Sequence, residues 1–187
     1  MKAEAKRAGI KRIGARLAAA ALALAAVQGA PAQATAQQST NRVEAFRDWS
    51  VFTADAGGPV CWIVTQPQSS VAKRAGKPVQ VQRGDIYLTV AVRPRQGVDS
   101  EIAMVAGYPF RDGSTVTAEI GSREFELFTE GENAWTYPND DGEILSAMKA
   151  GAAIVMTGVS ARGTTTIDRF SLLGFTDAMT SAQNRCK

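Results

Sequence analysis

Beyond residue 45, apolar and polar positions alternate with a period close to two, the pattern of half-buried strands. Residues 48–53 and 60–65 follow it on either side of Gly57-Gly58-Pro59, which predicts an opening hairpin with Trp49, Cys61 and Trp62 in its core. Residues 66–83 are polar and predict a connection, with a short strand at 79–81. Residues 85–92 (DIYLTVAV) are apolar on both faces, as a central strand would be. Residues 94–99 turn the chain, 101–108 return, and Asp112-Gly113 is a hairpin-type pair. Residues 115–120 and 123–129 are expected to pair about Gly121-Ser122; 152–160 reads as a buried strand, Arg162-Gly163-Thr164 as a turn, and 165–173 as another alternating strand.

Helical signals are confined to two short stretches. Residues 141–150 have acids at the start, Lys149 near the end and Gly151 as a stop, matching the helix dipole and C-cap preferences. A second helix begins near Phe175, with Thr176 as N-cap and Asp177 in its first turn, and carries the chain to Cys186. Eight or nine short strands with two short helices predict a mainly β fold, an antiparallel sandwich or barrel. An outer-membrane barrel is disfavoured, because its strands need about 9–11 residues with a lipid-facing apolar side.

One stretch breaks the pattern. After residue 128 the chain enters an acidic, aromatic segment expected to be a loop, in which Glu130, Glu132, Asp140 and Asp141 surround Trp135 and Tyr137. Trp135 and Tyr137 are two apart, so in extended backbone they would share a face. There they could stack on a sugar, anchor a protein, or cover the end of the core.

The amino terminus changes the charge argument. Lys2, Lys6, Arg7, Lys11, Arg12 and Arg16 precede an apolar run over residues 17–27, followed by Ala32-Gln33-Ala34. That is the layout of a secretory signal peptide over residues 1–34, with an apolar run too short to span a bilayer. Residues 35–44 then predict a flexible leader, and 45–187 a single domain. Of 21 basic and 18 acidic residues, six and one respectively fall in the signal, leaving 15 against 17. The basic balance of the whole chain is thus lost on export, and nucleic acid is not an expected partner.

Histidine is absent, which removes imidazole bases and the commonest metal ligand. The two cysteines, Cys61 and Cys186, predict a disulfide in an oxidising compartment, with two free thiols as the alternative. Ser70-Val71-Ala72-Lys73 and Ser146-Ala147-Met148-Lys149 match a serine–lysine nucleophile spacing, but the companion motifs of such enzymes are missing. The clustered acids lack the spacing of a calcium loop, so no metal or cofactor is expected.

Several segments resemble the invasion-associated locus B family of exported bacterial proteins. They are Asp48-Trp49-Ser50-Val51, Cys61, Ala147-Met148-Lys149-Ala150-Gly151 and Ser171-Leu172-Leu173-Gly174-Phe175-Thr176. The resemblance implies a small immunoglobulin-like β-sandwich in the periplasm or outer envelope, with no known enzymatic activity and a role in host-cell entry for pathogenic members. The chain departs from the family in its cysteines: Thr53 and Glu130-Gly131-Glu132 stand where many relatives carry others, which leaves Cys186 as the partner for Cys61. The expectation is a non-catalytic binding or envelope-supporting module whose partner is an envelope protein or glycan. Its candidate contact surface is Trp135, Tyr137, Glu130, Glu132, Asp140 and Asp141. A small carboxylate-dependent hydrolase of an envelope polymer and a surface adhesin are the alternatives.

Overall fold

The structure, a computed structural model, describes residues 41–187. The expected signal peptide and residues 35–40 of the expected leader lie outside the described residues. The chain begins with β1 (Arg42–Phe46), β2 (Trp49–Asp55), β3 (Pro59–Thr65), β4 (Pro67–Arg74) and β5 (Lys77–Pro78). It continues through β6 (Tyr87–Arg93), β7 (Val98–Val105), β8 (Thr115–Ile120), β9 (Arg123–Glu130) and β10 (Asn133–Thr136). Helix α1 (Asp141–Ala150), β11 (Ala153–Val159), β12 (Thr165–Ser171) and α2 (Phe175–Arg185) complete it.

All pairings are antiparallel, in the single order β1-β2-β3-β6-β7-β10-β9-β8-β11-β12-β4-β5. The sheet is open, with β1 and β5 as its edges, and not a closed barrel. It nevertheless folds back on itself. Trp49 on β2 is fully buried, and its indole Nε1 donates to the Ser171 carbonyl at the end of β12, 3.0 Å away. Strands eight places apart in the order are thereby joined.

Strand alternation explains the core. On β6, Leu88, Val90 and Val92 are buried and their neighbours only partly so; Ile63 on β3, Ile102 and Met104 on β7, and Ile154 and Met156 on β11 join the same cluster. Burying each such side chain contributes roughly 1.5–3 kcal/mol. Helix α2 adds Phe175, Ala178, Met179 and Ala182 at i, i+3, i+4 and i+7, its buried stripe. It also closes the disulfide: Cys61 and Cys186 are bonded, with Cα atoms 5.9 Å apart across 125 residues of sequence. In the chain-entropy model such a loop contributes about 5 kcal/mol.

Several expectations are corrected by the structure. Strand β1 begins at Arg42, inside the stretch read as a loose leader, and pairs with β2. The polar connection 66–83 contains the eight-residue β4, paired along β12; its largely exposed, hydroxyl-rich surface carries no apolar alternation, so only backbone pairing reveals it. Residues 79–81 form no strand. Asp112-Gly113 turns the chain without making a hairpin, because β7 pairs with β6 and β10 and not with β8. Trp62 is not a core residue: it stacks on its cross-strand partner Phe52, centroids 5.5 Å apart, on the partly exposed face of the opening hairpin. Helix α2 starts at Phe175 with Gly174, not Thr176, in the capping position.

Candidate functional site

The acidic, aromatic segment is not a loop. Glu130 and Asn133 are paired residues of a β9–β10 hairpin, and Gly131 takes the first turn position with φ +59, where a type II′ turn places glycine. Along β10, Ala134 and Thr136 point into the core, so Asn133 and Trp135 face outward, and Tyr137 follows on the same side. Period-two geometry therefore aligns Trp135 with Phe128, its cross-strand partner on β9. The two rings stack with centroids 5.7 Å apart, and Tyr137 tilts against Phe128 at 5.3 Å. Phe128 remains 36% and Tyr137 41% exposed.

Beside this trio runs an open groove of about 760 Å³, bounded by the start of β7, the outer face of β9–β10 and the first turns of α1. Phe128, Trp135 and Leu145 supply its apolar lining, and Asp99, Glu101, Glu130 and Asp141 its carboxylates. Asp141, at the first position of α1, accepts a hydrogen bond from the Thr136 hydroxyl. Its carboxyl is held above the usual aspartate range, first by partial burial and further by the charges of Glu101 and Asp140, with the Thr136 bond pulling the other way. Glu101 accepts from Arg93 Nη2 at 2.5 Å. One carboxyl is thus tied to a helix start and the other to an arginine. What the groove offers is a flat aromatic surface in a negative field.

The six expected site residues are only partly brought together. Trp135, Glu130 and Asp141 line the groove, and Tyr137 packs on its aromatic wall. Asp140 sits at the amino-terminal cap of α1, where its backbone carbonyl, not its side chain, accepts from Glu143 and Ile144. Glu132 is turned elsewhere, lining a different cleft. Phe128, Asp99, Glu101 and Leu145 were not anticipated. Only Phe128 could have been, since once Gly131 is read as a hairpin turn, counting back from Trp135 pairs the two.

The residues that carry the family resemblance also converge in space. Trp49 meets Phe175 edge-on at 5.0 Å, while its indole binds Ser171. Between them Gly174 has φ +88, and a Cβ there would lie 2.1 Å from the Phe46 carbonyl oxygen, so only glycine fits. Gly151 is required for a different reason than helix capping: its backbone is extended, and a Cβ would come within 2.6 Å of Ile120 Cγ2. The model of the invasion associated locus B (IalB) proteins matches residues 49–183. The chain belongs to the IalB family.

A similar solved structure is the crystal structure of invasion associated protein B from Bartonella henselae. It is 17% identical, with a TM-score of 0.52 over 74% of this chain and 94% of that one. At that identity the likeness speaks for the fold alone. No curated protein matches the chain in sequence. The IalB family is one of exported bacterial proteins and is not known as an enzyme family. Among the described residues no helix is long and apolar enough to cross a membrane.

Proposed function

We propose that this IalB-type protein is a non-catalytic binding module of the periplasm or outer envelope, released there by cleavage near Ala34. In this reading the two halves of the sheet face each other as the layers of an immunoglobulin-like sandwich, leaving the outer surface of β9–β10 free for a partner. That partner is a protein presenting lysine or arginine, as host or envelope proteins do. The observation that supports this is the Phe128–Trp135–Tyr137 trio, three aromatics packed on one another yet left partly open, beside the carboxylates of Asp99, Glu130 and Asp141. Partly exposed aromatics are enriched at interface centres, and a guanidinium or ammonium over an aromatic face gains about 0.5–2 kcal/mol.

The test titrates an arginine-containing peptide and its glutamate counterpart into the mature protein, reading the heat of binding. Binding of the basic peptide alone is expected. It should weaken with added salt and disappear in Trp135→Ala/Tyr137→Ala. Equal responses to both peptides, or retention of binding in the double variant, would remove this surface as the contact site.

A further inference from the structure

A second cleft, of about 500 Å³, lies between the irregular segment at residues 79–84, the bend at 107–109 and the turn at 160–164. That volume falls within the roughly 300–1,000 Å³ typical of small-ligand sites. One wall of it, residues 79–84, belongs to no strand. Arg83, with its side chain 8% exposed, forms a two-pronged ion pair with the fully buried Asp168 of β12, at 2.7 and 2.8 Å. The same guanidinium donates twice to the Ala106 carbonyl, at 2.9 and 2.7 Å. It also lies 4.9 Å above the Tyr108 ring, whose hydroxyl is 2.6 Å from Thr166 Oγ1. Gly84 N donates to the Gly107 carbonyl, and Gly107, at φ +69, has no room for a Cβ: it would meet Gly84 O at 2.6 Å.

A buried ion pair adds little stability over an apolar pair of similar shape, yet breaking one partner costs much. Its distinctive yield is geometry. Here, with the Val79 N–Ala72 O and Gly84 N–Gly107 O bonds at its ends, it positions a segment that belongs to no strand, and that segment is the cleft wall.

The lining is cationic and rich in hydrogen-bonding groups. Arg74 on β4 is oriented by Thr164 Oγ1, which accepts from its Nε and Nη2 at 3.2 and 2.7 Å. Arg162 stands exposed on the turn. Among the described residues neither Arg74 nor Arg162 is in an ion pair with a carboxylate. Gln80, Gln82 and Glu132 add amide and carboxylate partners to the lining. The Tyr108 ring is covered on one face by Arg83 and makes a T-shaped contact with Phe110 at 5.1 Å.

We infer that this cleft binds an acidic saccharide of the uronate type. The guanidiniums of Arg74 and Arg162 take the sugar carboxylate, the charge-assisted geometry for which arginine is suited. Gln80, Gln82 and Glu132 take its hydroxyls. The site is independent of the aromatic groove, so either assignment can fail alone.

Calorimetric titration of the mature protein with glucuronate, an oligogalacturonate, a neutral glucose oligomer and inorganic phosphate tests it. Uronate binding is expected, with no response to the neutral oligomer and binding of phosphate, which lacks the sugar hydroxyls, at least tenfold weaker. Arg74→Gln/Arg162→Gln should weaken it at least tenfold without moving the melting temperature by more than a few degrees, and Trp135→Ala/Tyr137→Ala should leave it unchanged. Equal affinity for monomer and oligomer assigns a free acidic sugar; tighter oligomer binding assigns a polymer, and either upholds the cleft. Absence of uronate binding, indifference to the arginine substitutions, or an equal affinity for phosphate overturns it.

Discussion

The two openings of this molecule are built by opposite means. The aromatic groove is a product of register: Phe128 and Trp135 face one another because β9 and β10 pair at those positions and side chains alternate. The cationic cleft is a product of charge: its wall at residues 79–84 belongs to no strand and is held by Arg83 reaching 85 residues along the chain to Asp168. A surface set by register tolerates loss of its side chains, because the backbone ladder survives. A surface held by a buried ion pair and only a few backbone bonds tolerates it less, because either partner alone becomes an uncompensated charge.

That difference orders the expected effects. Arg83→Met or Asp168→Asn should each cost about 3–5 kcal/mol, read as a lower urea midpoint, whereas Arg83→Met/Asp168→Leu together should recover much of the loss. If the double variant is no more stable than the singles, the pair is not acting as an isolated charge couple and the contrast between the two regions fails. Next in size is the disulfide. Cys61→Ala/Cys186→Ala should cost about 2–5 kcal/mol, and reduction of the wild type should lower its stability similarly; non-reducing mass analysis showing two free thiols would sink this. On the register side, Trp135→Ala/Tyr137→Ala should cost only about 1 kcal/mol, the scale of exposed aromatic pairing, while the β content by circular dichroism is unchanged. A loss comparable to that of Arg83→Met would mean that the trio is structural and the groove incidental.

The smallest effect concerns Asp141. Its folded carboxyl titrates above the ordinary aspartate value of 3.8, so the native state holds its proton more tightly than the unfolded chain does. The stability associated with that proton is present below the unfolded value and is lost as pH rises through the folded one. Asp141→Asn should therefore gain on wild type as pH rises through the carboxylate range. A difference between the two proteins that does not change with pH would contradict the assignment.

Most strands were legible: β2, β8 and β12 as alternation matched by buried residues at alternate positions, β9 as alternation although only Leu127 on it is buried, and β6 and β11 as apolar runs. Strands β4 and β10 were not, for different reasons. β4 presents polar side chains to solvent and is specified by its partner β12. β10 is four residues long and sits among acids that mask its two inward positions, Ala134 and Thr136. The candidate segment was read as a loop, and the structure makes it a paired hairpin. Trp135 and Tyr137 do share a face, as extended geometry requires, but the acids around them divide: Glu130 and Asp141 into the groove, Glu132 into the other cleft.

By itself the sequence determined the local periods, most of the turns, both helices, the family and the pair of cysteines available to bond. These follow from near neighbours in the chain or from there being only two thiols. Tertiary structure alone decided that Trp49 would bind Ser171 across 122 residues, that Arg83 would find Asp168, and that Glu130 and Glu132 would serve different clefts. A polar residue in a polar segment carries no periodic signal of its distant partner. What selects that partner is burial, which makes an unpaired charge costly only once the chain has folded around it.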